Sequence, residues 1–309
     1  MTIIEQAAKR LEELNRAGVD VGAWTEQPRP EGVAAPGVLE SAEPGIARFA
    51  PAVVEARPQQ RLQPQAVAVL DLERLESAGY LSQSGMATPL SEQYRVIKRP
   101  LVKNARTPGP EGHRMPLIMV TSALPGEGKT FSAINLAMSI AAEIDLSVLL
   151  VDADVARRDA MAQLGVKAEA GLMDLLVDES SRLEDVVLRT NVPKLCVMPA
   201  GRRHHLSTEW LASAAMERLL ARLATDYPSQ VVIFDGPPLL VTSEAKVLAS
   251  RVGQVLVVVE ACRTPRRAVD QVFGLLEQCP VVMSVLNKAD RGSSGDAYGY
   301  GYGYGNTPG

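Results

Sequence analysis

The 309-residue chain is poor in aromatics: Phe, Trp and Tyr make up 4% of it, and four of its seven tyrosines lie between Tyr298 and Tyr304. Any buried core must therefore be aliphatic. Cysteine and histidine are scarce as well. Cys196, Cys262 and Cys279 show no CxxC spacing, which excludes a disulfide framework, and His113, His204 and His205 are too few for a zinc site of ordinary pattern. There is no excess of basic charge, since 32 Lys and Arg stand against 36 Asp and Glu. The net charge of -4 leaves no global positive field to hold nucleic acid. No apolar run approaches the roughly 18 residues that a membrane span needs. The opening stretch MTIIEQAAKRLEELNRAG carries Glu5, Glu12 and Glu13 and lacks the apolar segment of a signal peptide. Together these absences predict a soluble, cytoplasmic protein in a reducing compartment.

What is present divides the chain. Eleven of the 21 prolines fall in the first 110 residues, and from Glu26 to Gln65 the chain is Pro, Ala, Glu, Gln and Arg without sustained periodicity. Such a stretch buries too little apolar surface to offset its ordering entropy, so residues 19–88 read as a largely disordered linker. Ahead of it, Thr2 and Glu5 have capping-box spacing, and Ile4, Ala7, Ala8, Leu11 and Leu14 share one face. Residues 1–18 thus predict an amphipathic helix suited to docking on a partner. A second amphipathic segment, SEQYRVIKRPLVKNA, ends in a break at Pro100. From Pro116 onward six apolar segments (PLIMVTSA, SVLLVDAD, LCVMPA, VVIFDGPP, QVLVVVEA and VVMSVLNKA) alternate with helical stretches near 129–143, 171–177, 207–225, 244–252 and 265–278. Val/Ile/Leu-rich strands without polar alternation are buried on both faces. Residues 89–290 are therefore expected to form one α/β domain, a doubly wound and mostly parallel sheet with helices on both faces. Residues 291–309 read as a flexible, low-complexity Tyr/Gly tail.

The strongest chemical signal is Ser122-Ala-Leu-Pro-Gly-Glu-Gly-Lys-Thr130, between a strand and a helix. It matches the phosphate-cradling pattern of Gly, four residues, Gly, Lys and Ser/Thr, except that Ala123 replaces the first Gly. A P-loop NTPase follows. Expected nucleotide contacts are Pro125, Gly126, Glu127, Gly128, Lys129, Thr130 and Phe131, with the Lys129 ammonium on the β- and γ-phosphates from a solvent-facing position and the Thr130 hydroxyl on Mg²⁺. Val148-Leu-Leu-Val-Asp-Ala-Asp154 places Asp152 and Asp154 at a strand end. They point the same way if the strand persists and diverge if it has begun to turn. One could orient or deprotonate an attacking hydroxyl while the other helps hold Mg²⁺. Val231-Val-Ile-Phe-Asp235 ends an apolar strand in a carboxylate placed to hold Mg²⁺ opposite the loop. Asn287-Lys-Ala-Asp290 matches the string by which GTPases read guanine, although an Asn at that strand end also suits adenine. In the tail, Tyr298, Tyr300, Tyr302 and Tyr304 alternate with Gly. Some twenty flexible residues have an r.m.s. reach of about 25 Å, enough to enter a neighbouring subunit's site.

Jointly, ALPGEGKT, LLVDAD, VVIFDGPP and the terminal tyrosine cluster resemble the bacterial tyrosine kinases of exopolysaccharide and capsule export, and the Pro-rich linker is similar to the exosortase-associated autokinase subgroup. The resemblance implies an ATP- and Mg²⁺-dependent autokinase. In it Lys129, Asp152 and Asp154 are catalytic, Thr130, Asp154 and Asp235 hold the metal, Asn287 meets the base, and Tyr298, Tyr300, Tyr302 and Tyr304 accept phosphate. It further implies a homo-oligomer at the inner membrane, activated by a transmembrane polysaccharide co-polymerase, with no membrane insertion of its own. The family's ring-contact motif reads here Glu92, Arg95, Lys98, with Lys in the last Arg position, and the arginines after the second acidic motif are shifted to Arg157 and Arg158. A positioning ATPase of the same superfamily is the rival reading. Such proteins carry a signature Lys where this chain has Leu124, and they lack a tyrosine tail.

Overall fold

The computed structural model describes residues 62, 64, 66–81, 88–107, 109, 115–227 and 229–289. The expected 1–18 helix, most of the linker and the tyrosine tail lie outside them. In chain order the elements are β1 (Ala66–Ala68), α1 (Leu72–Ser77), α2 (Pro89–Ala105), β2 (Leu117–Ser122), α3 (Lys129–Ala141), β3 (Ser147–Asp152), α4 (Asp159–Leu164), α5 (Leu172–Val177) and α6 (Leu183–Val186). They continue with β4 (Leu188–Thr190), β5 (Leu195–Met198), α7 (Ser207–Ala212), α8 (Ala214–Thr225), β6 (Gln230–Asp235), α9 (Ser243–Ala249), β7 (Gln254–Glu260), α10 (Arg266–Leu275) and β8 (Val281–Asn287).

The strands form one sheet in the order β1-β4-β5-β3-β6-β2-β7-β8. Every neighbouring pair is parallel except β4 with β5. β2 and β6 are buried along their whole length, in keeping with their apolar runs Leu117–Val120 and Val231–Phe234. Their residues alternate between two layers. Leu117, Met119, Val232 and Phe234 enter the core under α8 and α9, whereas Ile118, Val120, Val231 and Ile233 pack with α3. Among the largest fully buried side chains, Phe234 is the one aromatic, in keeping with an aliphatic core.

Two expectations are corrected. Residues 66–81 are not linker. Leu70, Leu75 and Leu81 are buried, and the Asn191 carboxamide clasps Leu70, accepting from its N–H at 2.8 Å and donating to its carbonyl at 3.0 Å. The Leu81 N–H donates to Asn135 of α3 at 2.8 Å. Nor does Pro100 end its helix. α2 runs through it because Tyr94, Lys98 and Leu101 are buried on one face, and that packing outweighs the lost backbone hydrogen bond. Among the described residues no helix is long and apolar enough to cross a membrane.

Candidate active site

The carboxyl ends of β2, β3 and β6 share one edge of the sheet, where doubly wound folds place their ligands. There β2 gives way to the 123–128 loop and α3 begins at Lys129. Gly126 (φ 88°) and Gly128 (φ 94°) are left-handed, a conformation that glycine adopts without strain. A Cβ on Gly128 would also stand 2.1 Å from Asn287 Nδ2. The first-turn amides of Lys129, Thr130 and Phe131 have no partner within the helix and lie at its positive end, an arrangement ready for phosphate.

The loop is braced from outside by side chains. Glu127 is buried, and its carboxylate accepts the Leu124 N–H at 2.7 Å and the Thr264 hydroxyl. Asn287 Nδ2 donates to the Glu127 carbonyl at 2.9 Å. Lys288 Nζ donates to the Gly126 carbonyl at 2.7 Å and pairs with Glu260 at 3.2 Å. Glu127 and Asn287, expected at the nucleotide, thus spend these groups on the loop itself. Thr264 and Glu260 belong to no motif, so nothing in the sequence marks them; Lys288 sits in the Asn-Lys-Ala-Asp string. Pro125 is exposed at the loop tip, and the Phe131 ring packs against Tyr80, with centroids 5.1 Å apart.

Behind the loop lie three carboxylates. Asp152 and Asp235 are register partners on β3 and β6, both fully buried, and none of their four oxygens has a hydrogen-bond partner. Burial, then the Asp235 charge, pushes Asp152 up to about 7. Burial likewise raises Asp235 to about 6, against the pull of the Lys129 ammonium and the nearby Thr130 hydroxyl. β3 ends at Asp152, so Asp154 already belongs to the following turn. It accepts Lys129 Nζ at 2.9 Å and the Arg157 N–H at 3.2 Å. Lys129 is 5% exposed, a buried partner of Asp154 rather than a solvent-facing side chain.

Unpartnered buried carboxylates beside the free first-turn amides of α3 fit a Mg²⁺-nucleotide. Among the described residues no three acidic, His or Cys side chains form a ready-made metal centre. Mg²⁺ needs none, since one or two carboxylates and substrate phosphates suffice. Elsewhere, Arg95 pairs with Glu92 at 2.6 Å on the surface. Lys98 is buried, donating to the Ser139 carbonyl at 2.7 Å and pairing with Glu143 at 2.6 Å.

The parts assembled on this edge are those of a P-loop NTPase. The model of the AAA_31 family, an AAA domain, matches residues 115–288. The tyrosine-protein kinase YwqD of Bacillus subtilis is 31% identical over 189 residues, covering 61% of this chain and 76% of YwqD. The succinoglycan biosynthesis transport protein ExoP of Rhizobium meliloti is 36% identical over 195 residues, covering 60% of this chain and 24% of ExoP. Among solved structures, the VpsO kinase domain is 30% identical with a TM-score of 0.55, covering 65% of this chain and 96% of that domain. The chain belongs to the AAA domain family and to the bacterial tyrosine-protein kinases. It spans about a quarter of the length of larger relatives such as ExoP.

Proposed function

We propose that this chain is an ATP-dependent protein-tyrosine autokinase that phosphorylates Tyr298, Tyr300, Tyr302 and Tyr304 of a second copy of itself. The observation that carries the reading is the pair of unpartnered carboxylates, Asp152 and Asp235, set behind a phosphate loop in a chain of the tyrosine-kinase family. The loop amides and the Lys129 ammonium bind the triphosphate and fix its γ-phosphorus. Thr130 and Asp235 hold Mg²⁺, which when bound neutralises charge on the β- and γ-phosphates. Asp154, expected on the metal, here aims Lys129. Asp152 orients the tyrosine hydroxyl and accepts its proton. The phenolic oxygen forms a bond to the γ-phosphorus, the bond from that phosphorus to the β,γ-bridging oxygen breaks, and ADP leaves with the electron pair. Most of the rate comes from positioning and charge neutralisation.

ATP is the expected nucleotide, because Asn287 and Lys288 of the guanine-like string are engaged by the phosphate loop. The names of relatives such as ExoP support a role in exopolysaccharide export, with a transmembrane polysaccharide co-polymerase as activator at the inner membrane. Incubation with Mg-ATP followed by mass spectrometry tests the activity. Phosphate should appear on the four tail tyrosines and be absent from the Lys129→Met protein. Phosphate chiefly on Tyr80, Tyr94 or Tyr227 would contradict the assignment of the acceptor.

A further inference from the structure

Next to the carboxylates, the turn after Asp154 and helix α4 border an open hollow of about 570 Å³, lined among others by Arg158, Met161, Ala162, Val166, Lys167 and Glu169. Its chemistry is mixed. Met161, Ala162 and Val166 supply apolar surface, Arg158 and Lys167 two cations, and Glu169 one carboxylate. Arg158 holds a left-handed backbone (φ 61°), unusual for a residue with a side chain. Its Nε donates to the Val155 carbonyl at 3.2 Å, whereas its Nη2 is buried without a partner. Arg203, tied to the same turn by donating to the Ala156 carbonyl at 3.2 Å, adds a like charge nearby, and the Asp152 and Asp174 carboxylates act on the same guanidinium with opposite charge. The adjacent Asp174 is occupied, accepting the Gly171 N–H at 2.9 Å and pairing with Arg202 at 3.2 Å. A guanidinium with an unused donor is suited to an anion. The hollow also adjoins the site, since the Arg158 N–H donates to the Asp154 carbonyl at 2.8 Å.

We propose that this hollow is a phosphotyrosine subsite, which receives an already modified tyrosine of a second copy's tail while a neighbouring tyrosine stands at Asp152. The apolar lining takes the ring, and Arg158 and Lys167 take the dianion. In an extended chain, tyrosines alternating with glycine would share one face about 7 Å apart, so that two of them can be presented side by side. Nucleic acid is a poor occupant, since no aromatic platform lines the hollow. The first phosphate then anchors the tail, and the later ones follow faster. The tail leaves when no unmodified tyrosine remains for Asp152. This inference rests on the autokinase reading above.

The test measures fluorescence anisotropy of labelled Gly-Tyr repeat peptides with one phosphotyrosine, one phosphoserine or no phosphate. Full-length protein is used in saturating Mg-ADP, so that the phosphate loop is filled. The phosphotyrosine peptide should bind about tenfold tighter than the unmodified one, and both Lys167→Glu and Arg158→Gln should remove that preference. Equal affinity, a preference surviving in both variants, or equal binding of the phosphoserine peptide would overturn the subsite. A parallel arm follows transfer from Mg-ATP to the unmodified peptide. Transfer without binding preference sinks the subsite alone; preference without transfer sinks the kinase reading alone.

Discussion

Asp152 and Asp235 oppose each other on adjacent strands with no hydrogen bond to either carboxylate. Such groups cost stability unless a cation joins them. In EDTA at about pH 8, Asp152→Asn should melt a few degrees above the parent, as should Asp235→Asn. Their folded pKa values, about 7 and about 6, lie above the ordinary 3.8. The penalty is therefore absent below about pH 4, grows as the pH rises from there toward the two folded values and is complete above them, so the gain should be larger at about pH 8 than at about pH 5. Mg-ADP should raise the parent's melting temperature more than that of Asp235→Asn. A gain independent of pH would contradict the burial of these charges. A second residue-scale prediction concerns Asn287, whose carboxamide props the Glu127 carbonyl. Asn287→Ala should weaken ATP and GTP binding alike, by about tenfold in calorimetry, for one lost, half-buried hydrogen bond. A loss confined to one nucleotide would mean that Asn287 reads the base.

Among the elements, α3 joins the site to the rest of the domain: it opens at the phosphate loop and closes where Lys98 of α2 caps the Ser139 carbonyl. Lys98→Met should therefore destabilise the domain by about 1–3 kcal/mol in chemical denaturation. Arg95→Ala, which removes only an exposed pair, should be close to neutral. Equal costs would place Lys98 outside the fold's support. The elements differ in how far they were legible. Buried parallel strands such as β2, β6 and β7 announce themselves as apolar runs, and the ALPGEGKT loop is recognisable because phosphate binding demands that spacing. β1, α1 and β4 have three to six residues and no readable period. They exist through tertiary clasps, such as Asn191 on Leu70 and Asn135 on Leu81, which no local pattern contains. The burial of Lys129 is illegible in the sequence for the same reason. Its motif fixes its chemistry, but only the fold puts Asp154 beside it.

At the scale of the whole molecule, the sequence holds a phosphate loop with buried carboxylates and, in its last residues, alternating tyrosine and glycine, which the proposed reaction would bring together. The central claim is that one copy modifies the tail of another, and mixing two defective chains tests it most directly. One chain, residues 1–289, keeps the site without the tail. The other carries Asp152→Asn and keeps the tail, and by the argument above it remains folded. Each alone should incorporate nothing from Mg-ATP. Mixed, they should place phosphate on Tyr298, Tyr300, Tyr302 and Tyr304 of the Asp152→Asn chain, read by mass spectrometry. If the mixture stays unlabelled while the intact parent phosphorylates its own tail, transfer is not between copies, and if the Asp152→Asn chain alone labels its tail at the parent's rate, Asp152 is not the group that orients the phenol.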